Sequence, residues 1–191
     1  NHTDQPRPFS RRTMRTWIKN PAATWTGNQL SAPNGVVVDG STIIELVDGE
    51  PSSPCGAVYT ADDCVLLPGL VNCHHHFYQT LTRALPAALN KELLEWLTAL
   101  YPIWANLSEA AIAASTRTAL AELLLSGCTT TTDHHYIFPS GCEHAIDIQA
   151  EIVGEVGIRA ILTRGSMSLG KEGGGLPPDE VVQDADTILK D

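Results

Sequence analysis

The pattern of apolar and polar positions along the chain changes near residue 67. Before it, short apolar runs, alternating or β-branched, are separated by turn residues, which is typical of β-strands. The clearest pair is Gly35–Val38 and Thr42–Val47, which flank Asp39-Gly40, a dipeptide that favours a tight hairpin. Further short strands are predicted at Arg15–Lys19, Val58–Tyr59 and Cys64–Leu67. Residues 14–66 are therefore predicted to form a small all-β module.

From residue 67 onward the pattern alternates between strands and helices. Strands are predicted just before His74, at Cys128–Thr132 and at Ile158–Thr163. Helices are predicted from Lys91 to Leu100, from Ser108 towards Gly127, from about Cys142 to Val156, and from Pro177-Pro178-Asp179 to the end of the chain. This alternation predicts an α/β fold with a parallel sheet, whose strands present their carboxyl ends at one edge.

Polar side chains follow each predicted strand: His74 and His76 after the first, Asp133 and His134 after the second, and Arg164 after the third. Parallel α/β folds place their functional sites at this edge. A complete (β/α)8 barrel needs about 250 residues, and residues 67–191 hold only about three strand–helix units. The pattern therefore fits either part of a barrel or a smaller parallel sheet.

Composition and charge narrow the possible partners. The chain has 191 residues, of which 43% are hydrophobic and 18% charged, with a formal net charge of −10. This composition is ordinary for a globular protein, and the acidic balance argues against nucleic acid and anionic membranes as partners. No apolar run reaches the length of a membrane span. Residues 1–13 are polar and aperiodic, and are predicted to be a disordered extension or a leader added for expression, with Met14 a candidate native start.

The five cysteines are Cys55, Cys64, Cys73, Cys128 and Cys142. Their number is odd and none form a C-x-x-C pair, which argues against a disulfide framework or a cysteine-based zinc site. A reducing cytoplasm is therefore the expected location. Cys73 is expected to share a face with His75 and to serve in packing.

The triplet His74-His75-His76 is the strongest chemical signal in a chain with seven histidines. In an extended segment residues i and i+2 share a face, so His74 and His76 are expected to point the same way and His75 the opposite way. Two neutral imidazoles converging from one strand can chelate a divalent metal such as zinc. The alternative is a polar cluster on a loop.

The segment Pro68-Gly69-Leu70-Val71-Asn72-Cys73-His74-His75-His76, after a small β module, resembles the amidohydrolase superfamily. Within it, Ser126-Gly127-Cys128-Thr129-Thr130, Asp133-His134-His135-Tyr136 and the Gly-rich stretch from Leu162 to Pro178 are similar to the purine and triazine aminohydrolases. The resemblance implies that residues 67–191 are the N-terminal portion of a (β/α)8 barrel, and that residues 14–66 belong to a β-sandwich module usually completed by C-terminal strands.

The same resemblance implies a zinc-dependent hydrolytic deamination of an oxopurine, with members that convert 8-oxoguanine to urate the most similar. Iron or manganese are alternatives to zinc. His74 and His76 would be metal ligands, whereas the other ligands and the acid/base Glu and Asp would lie beyond residue 191, leaving no catalytic residue within this chain. The 191 residues are thus expected to be part of a longer enzyme, commonly a homodimer, or to need a partner chain.

Two further residues are candidates for contacts with a purine or triazine substrate. The resemblance implies that Gln79 contacts the ring, because a Gln at this offset does so in guanine-type deaminases, and its amide offers both a donor and an acceptor. Arg164 could hold an oxo group or form a structural ion pair. Asp133 and His134 are expected to make local capping or turn hydrogen bonds, with support of the metal ligands as the alternative. The aromatic residues Trp96, Tyr101 and Trp104 are expected in the core, or over the pocket.

Two other functions stay open at this point. One is a related activity, on guanine or on a hydroxytriazine that loses an alkylamine. The other is a catalytically silent metal-binding fragment or assembly subunit, which the missing ligands favour.

Overall fold

The structure is a computed structural model that describes residues 14–30 and 34–190. The leader predicted for residues 1–13 lies outside these residues. The chain divides after Pro68 into two compact units, which are described separately.

The first unit consists of short strands. They are β1 (Thr16–Lys19), β2 (Ala23–Thr24), β3 (Gly35–Asp39), β4 (Thr42–Leu46), β5 (Ala57–Thr60) and β6 (Val65–Leu66). Four of them form a sheet in the order β4-β3-β1-β5, in which β1 and β5 are parallel and the other pairs antiparallel. Strands β2 and β6 form a separate parallel pair.

The predicted hairpin is confirmed, with its turn one residue later than expected. Asp39 pairs with Thr42, so Gly40 and Ser41 make the turn. Gly40 has a φ of 57°, a left-handed conformation that glycine adopts without steric cost. Trp17, Val37 and Val47 form the buried core of this unit, and the indole of Trp17 donates to the carbonyl of Asn34 at 2.9 Å.

The second unit alternates strands and helices. Its elements are β7 (Leu70–Asn72), α1 (Leu93–Trp104), α2 (Glu109–Leu125), β8 (Cys128–His135), α3 (Ala145–Val156), β9 (Arg159–Arg164) and the short α4 (Ala185–Ile188). Single 3-10 turns occur at Phe77–Thr82, Pro86–Ala88, Lys171–Gly173 and Asp179–Val181. The sheet is parallel in the order β7-β8-β9, so all its carboxyl ends meet at one edge.

Local signals explain where α2 and α3 begin and end. The Ser108 side chain accepts a hydrogen bond from the backbone N–H of Ala111, which satisfies one of the free donors at the start of α2. Gly127 follows the end of α2 and Gly157 follows α3, both left-handed. The two helices cover the sheet through an apolar cluster formed by Phe77, Ala119, Leu120, Leu123, Cys128, Ile152 and Ile158.

Three helix predictions need correction. Helix α1 runs from Leu93 to Trp104 rather than from Lys91 to Leu100, and α3 begins at Ala145 rather than Cys142. The long helix predicted from residue 177 onward is wrong. The Asp179 carboxylate there accepts from the backbone N–H of Glu172 and Val181 is buried, so this segment packs as a turn and only Ala185–Ile188 is helical.

Two of the three aromatic residues of α1 lie in the core, as expected, whereas Trp96 is half-buried and lines a cavity, which was the alternative. Trp104 and Leu100 are fully buried and Tyr101 nearly so, with Tyr78 and Ile137 in the same cluster. In the described parts of the chain, no helix combines the length and apolarity needed to cross a membrane.

Candidate metal centre

The histidine triplet directly follows β7 at the carboxyl edge of the parallel sheet. Strand β7 ends at Asn72, whose side-chain oxygen accepts from the backbone N–H of His74 at 2.9 Å. The chain stays extended through His76, which has φ −134° and ψ 92°. The alternation of side chains therefore continues past the last strand residue.

The rings of His74 and His76 converge, as the alternation predicts. Their centroids lie 5.0 Å apart and their planes are nearly perpendicular, at 87°. The ring of His75 instead packs against Phe77, with centroids 5.2 Å apart. The triplet thus divides into a pair of neighbouring imidazoles and a third that packs elsewhere.

One nitrogen of His76 is fixed by the backbone. Its Nδ1 lies 2.7 Å from the carbonyl oxygen of His134. A carbonyl oxygen only accepts, so Nδ1 carries the proton and Nε2 keeps a free lone pair in the neutral ring. Burial lowers the pKa of His76, which favours this neutral form near pH 7. His76 is therefore prepared to coordinate a metal through Nε2.

His134 contributes a third imidazole to this edge. Its ring stacks on that of His74 with centroids 5.5 Å apart, and lies 5.8 Å from that of His76. Over residues 14–30 and 34–190, no three His, Cys, Asp or Glu side chains are arranged to hold a metal ion together. His74 and His76 thus offer a partial ligand set, whose donor chemistry fits zinc.

Asp133 does not cap a local turn, which corrects the expectation from sequence. One oxygen of its fully buried carboxylate accepts from the backbone N–H of Phe77 at 2.6 Å, and the other accepts from the Gln149 amide at 2.9 Å. Both partners are distant in sequence. Burial raises the pKa of Asp133 to about 6. His134 bonds both ways, since its backbone N–H donates to the carbonyl of His75 at 2.9 Å, while its ring Nε2 lies 3.4 Å from the hydroxyl of the neighbouring Thr132.

Gln149 is a residue of this edge that sequence reasoning missed. It lies on the buried face of α3 between Ala145 and Ile152, where a helix of this kind normally carries an apolar residue. The available sequence signal was a polar residue at helical spacing from Ala145 and Ile152, and the structure shows that it is fully buried.

Gln79 lies beside the histidine pair, in the 3-10 turn Phe77–Thr82. Its amide nitrogen is 3.3 Å from the hydroxyl of Tyr78 and 3.4 Å from that of Tyr136. The Tyr136 ring in turn contacts His76, with centroids 5.3 Å apart. A cavity of about 420 Å³ is lined by His74, His75, His76, Gln79, Thr80, Thr82, Arg83 and Trp96.

Arg164 is not brought to this cavity. Its guanidinium lies 4.5 Å from the ring of Phe138, and donates to the side-chain oxygen of Gln183 and to the carbonyl of Gly165. It lines a separate cavity with Glu143 and Asp147.

Cys73 is exposed, so the expectation that it packs in the interior is wrong. The neighbouring β7 residues Leu70 and Val71 are exposed as well, so this part of the segment is not covered by the described residues.

Comparison with known proteins decides the family. Residues 65–190 match the sequence profile of the amidohydrolase family. The chain belongs to the amidohydrolase family. It is 56% identical over 179 residues to 8-oxoguanine deaminase of Pseudomonas aeruginosa, which covers 93% of this chain and 40% of that protein. It is 36% identical over 127 residues to hydroxydechloroatrazine ethylaminohydrolase of Pseudomonas sp. strain ADP, covering 65% of this chain and 26% of that protein.

Solved amidohydrolase structures share the mixed α/β fold. A variant of atrazine chlorohydrolase from Arthrobacter aurescens, crystallised with zinc and atraton, superposes with a TM-score of 0.80 at 26% identity, covering 92% of this chain and 41% of that one. The chain thus spans about 40% of the length of the P. aeruginosa deaminase and of the atrazine chlorohydrolase, and about a quarter of the ethylaminohydrolase.

Proposed function

We propose that this amidohydrolase chain supplies two metal ligands and part of the substrate pocket of a zinc-dependent aminohydrolase. The reaction would be hydrolytic deamination of 8-oxoguanine, in which water and substrate give urate and ammonia. The observation that carries the proposal is the pair of imidazoles, His74 and His76, with the proton of His76 held on Nδ1 by the His134 carbonyl.

The donor set supports a metal role for this pair. Neutral imidazoles are ordinary zinc ligands, and a ligating His commonly donates its other N–H to a carbonyl or carboxylate. When bound, the metal would supply Lewis-acid activation of water. The remaining ligands and the acid/base groups are proposed to come from outside the described residues, as the strands β7, β8 and β9 would be the first three of a longer barrel.

The substrate assignment rests on the relatives and on Gln79. The P. aeruginosa relative is named for 8-oxoguanine, and its identity of 56% favours a purine substrate. Gln79 lines the same cavity as the histidine pair, so we propose that its amide contacts the ring edge of the substrate. Arg164 stays a weaker candidate for holding an oxo group, because Gln183 and Gly165 already accept from its guanidinium.

A hydroxytriazine or guanine is the alternative substrate within the same family. The relatives that are named for triazines support this alternative. A catalytically silent metal-binding subunit is the alternative of another class, supported by the incomplete ligand set among the described residues. Assembly as a homodimer, a cytoplasmic location and the choice of zinc over iron or manganese stay predictions.

The test combines metal content with turnover in the complete natural polypeptide. Metal is measured by elemental analysis, and ammonia release is measured with 8-oxoguanine, guanine and a hydroxytriazine. We expect close to one zinc per chain and fastest release from 8-oxoguanine. The double variant His74→Ala/His76→Ala should lose both metal and turnover, whereas His144→Ala, at an exposed helix start, should keep both.

Full zinc occupancy in the folded double variant would overturn the metal assignment. Faster release from a triazine would transfer the proposal to that substrate class. Metal binding without ammonia release from any of these compounds would support the silent metal-binding subunit instead.

A further inference from the structure

The segment that follows β7 is held in place by a buried pair of side chains from two other elements. The backbone N–H of Phe77, the residue directly after His76, donates to one oxygen of Asp133 at 2.6 Å. The amide of Gln149, on α3, donates to the other oxygen at 2.9 Å. Both Asp133 and Gln149 are completely buried.

Together with two further hydrogen bonds, the Asp133 contact joins β8 to residues 75–77. His75 accepts through its carbonyl from the N–H of His134, and His76 donates through its ring to the carbonyl of His134. Phe77 donates to Asp133. Three consecutive residues, 75 to 77, are thus hydrogen-bonded to two consecutive residues of one strand, which restricts the orientation of the His76 ring.

A purely structural role explains this pair poorly. A buried carboxylate without a cationic partner costs free energy, and within residues 14–30 and 34–190 the two oxygens of Asp133 accept from a backbone N–H and a neutral amide. The side-chain oxygen of Gln149 is buried as well and has no hydrogen-bond partner among the residues that the structure describes. An apolar residue at position 149 would avoid the unpaired oxygen, and an Asn at position 133 would accept from the buried Phe77 N–H without burying a charge, so the presence of this pair calls for another explanation.

We propose that Asp133 and Gln149 are positioning residues for His76, and that they set the metal affinity of the site by fixing the backbone that carries this ligand. This inference rests on the proposed metal-binding function. The Gln149 amide fixes the Asp133 carboxylate, and this carboxylate fixes the Phe77 N–H. Because Phe77 directly follows His76, the two bonds also restrict the backbone of His76. Neither side chain lines the cavity beside His74 and His76.

The experiment compares Asp133→Ala, Asp133→Asn and Gln149→Met with the control Ile152→Ala in the complete natural polypeptide. Ile152 is buried on the same helix as Gln149 and packs in the apolar cluster that includes Phe77, but Asp133 and not Ile152 bonds to the Phe77 N–H. Three quantities are measured: zinc affinity by competition with a chromophoric chelator, the absorption spectrum of the cobalt-substituted protein, and the thermal midpoint of the metal-free protein.

We expect Asp133→Ala to lower zinc affinity by about 10- to 100-fold and to change the cobalt spectrum. Asp133→Asn should retain most of the affinity, because its amide oxygen still accepts from Phe77 while its NH2 group can donate to the unpaired oxygen of Gln149. Gln149→Met should give a smaller loss than Asp133→Ala. Ile152→Ala should lower the thermal midpoint while leaving the spectrum unchanged.

The inference would be overturned if zinc affinity fell in proportion to the thermal midpoint in every variant, with Ile152→Ala following the same proportion. Should Asp133→Ala fail to fold, Asp133→Asn and Gln149→Met carry the test. The ring signals of His76 in the metal-free protein give a readout that does not depend on metal. Signals shifted by Gln149→Met but not by Ile152→Ala support the positioning role, even where the wild type binds no zinc and the proposed function itself fails.

Discussion

The carbonyl oxygen of His134 lies 2.7 Å from Nδ1 of His76, a hydrogen bond between the end of β8 and the segment after β7. Since the carbonyl can only accept, the bond selects one tautomer of the imidazole. It also joins neighbouring parallel strands at the edge where functional groups of such sheets gather. One hydrogen bond therefore both joins the two strands and leaves Nε2 of His76 free to coordinate a metal.

The tautomer of His76 is the first prediction. In the metal-free protein at neutral pH, nitrogen-15 spectra should show His76 protonated at Nδ1 and unprotonated at Nε2. The same residue in urea-unfolded protein serves as the control, because there the carbonyl constraint is gone. A folded protein with the proton on Nε2 would contradict both the hydrogen bond and the proposed route of metal coordination.

The second prediction concerns the start of α2. Ser108→Ala should lower the free energy of unfolding by about 1 kcal/mol, because the N–H of Ala111 loses its acceptor. Ser108→Asp should restore this loss, since an aspartate both caps and interacts favourably with the helix dipole. Urea unfolding at neutral pH measures both. Equal stability of the wild type and Ser108→Ala would show that the cap contributes nothing.

Sequence patterns predicted those features that depend on neighbours in the chain. The cap at Ser108, the hairpin beside Gly40 and the convergence of His74 and His76 are all set by short-range geometry. The last of these holds although β7 ends at Asn72, because the backbone stays extended through His76.

Features that depend on distant partners were not predictable in the same way. Asp133 was expected to bond locally, yet its partners are the Phe77 N–H and the Gln149 amide. The helix expected after residue 177 is replaced by a turn, because Val181 is buried and Asp179 bonds to Glu172. In each case a contact across the fold outweighs the local preference.

The third prediction is a pH dependence of stability that arises at His135. This ring lies between Tyr78 and Phe138, and burial lowers its pKa to about 4. Its Nδ1 is buried without a hydrogen-bond partner in the described part of the chain. Its ordinary pKa is 6.5, so between these values the unfolded chain binds more protons than the folded one. The contribution of neutral His135 to the free energy of unfolding is therefore fully present above pH 6.5 and is lost as the pH falls towards 4.

His135→Gln measures this contribution. Between pH 7 and pH 4 the stability of the variant relative to the wild type should rise by up to about 3 kcal/mol. Asp133 acts with the opposite sign, because its pKa is raised from 3.8 to about 6 and its folded form gains protons as the pH falls. Both proteins contain Asp133, so its effect cancels in the difference. A difference that does not change with pH would contradict the prediction.

The fourth prediction separates substrate contact from metal binding at Gln79. Its amide lies close to the hydroxyls of Tyr78 and Tyr136 and lines the cavity beside His74 and His76. Gln79→Met keeps the length of the side chain but removes its donor and acceptor. A lost substrate hydrogen bond of about 1.4 kcal/mol corresponds to a tenfold change, so kcat/KM for 8-oxoguanine should fall by about tenfold while the zinc content stays unchanged.

The matched control for this variant is Gln29→Met, which makes the same substitution at an exposed position of the first unit. It should leave kcat/KM and zinc content unaltered. If Gln79→Met loses zinc in parallel with activity, Gln79 supports the turn that carries the ligands rather than the substrate. If it changes neither quantity, the amide serves only to bond the two tyrosine hydroxyls, and the residues that recognise the ring edge lie elsewhere.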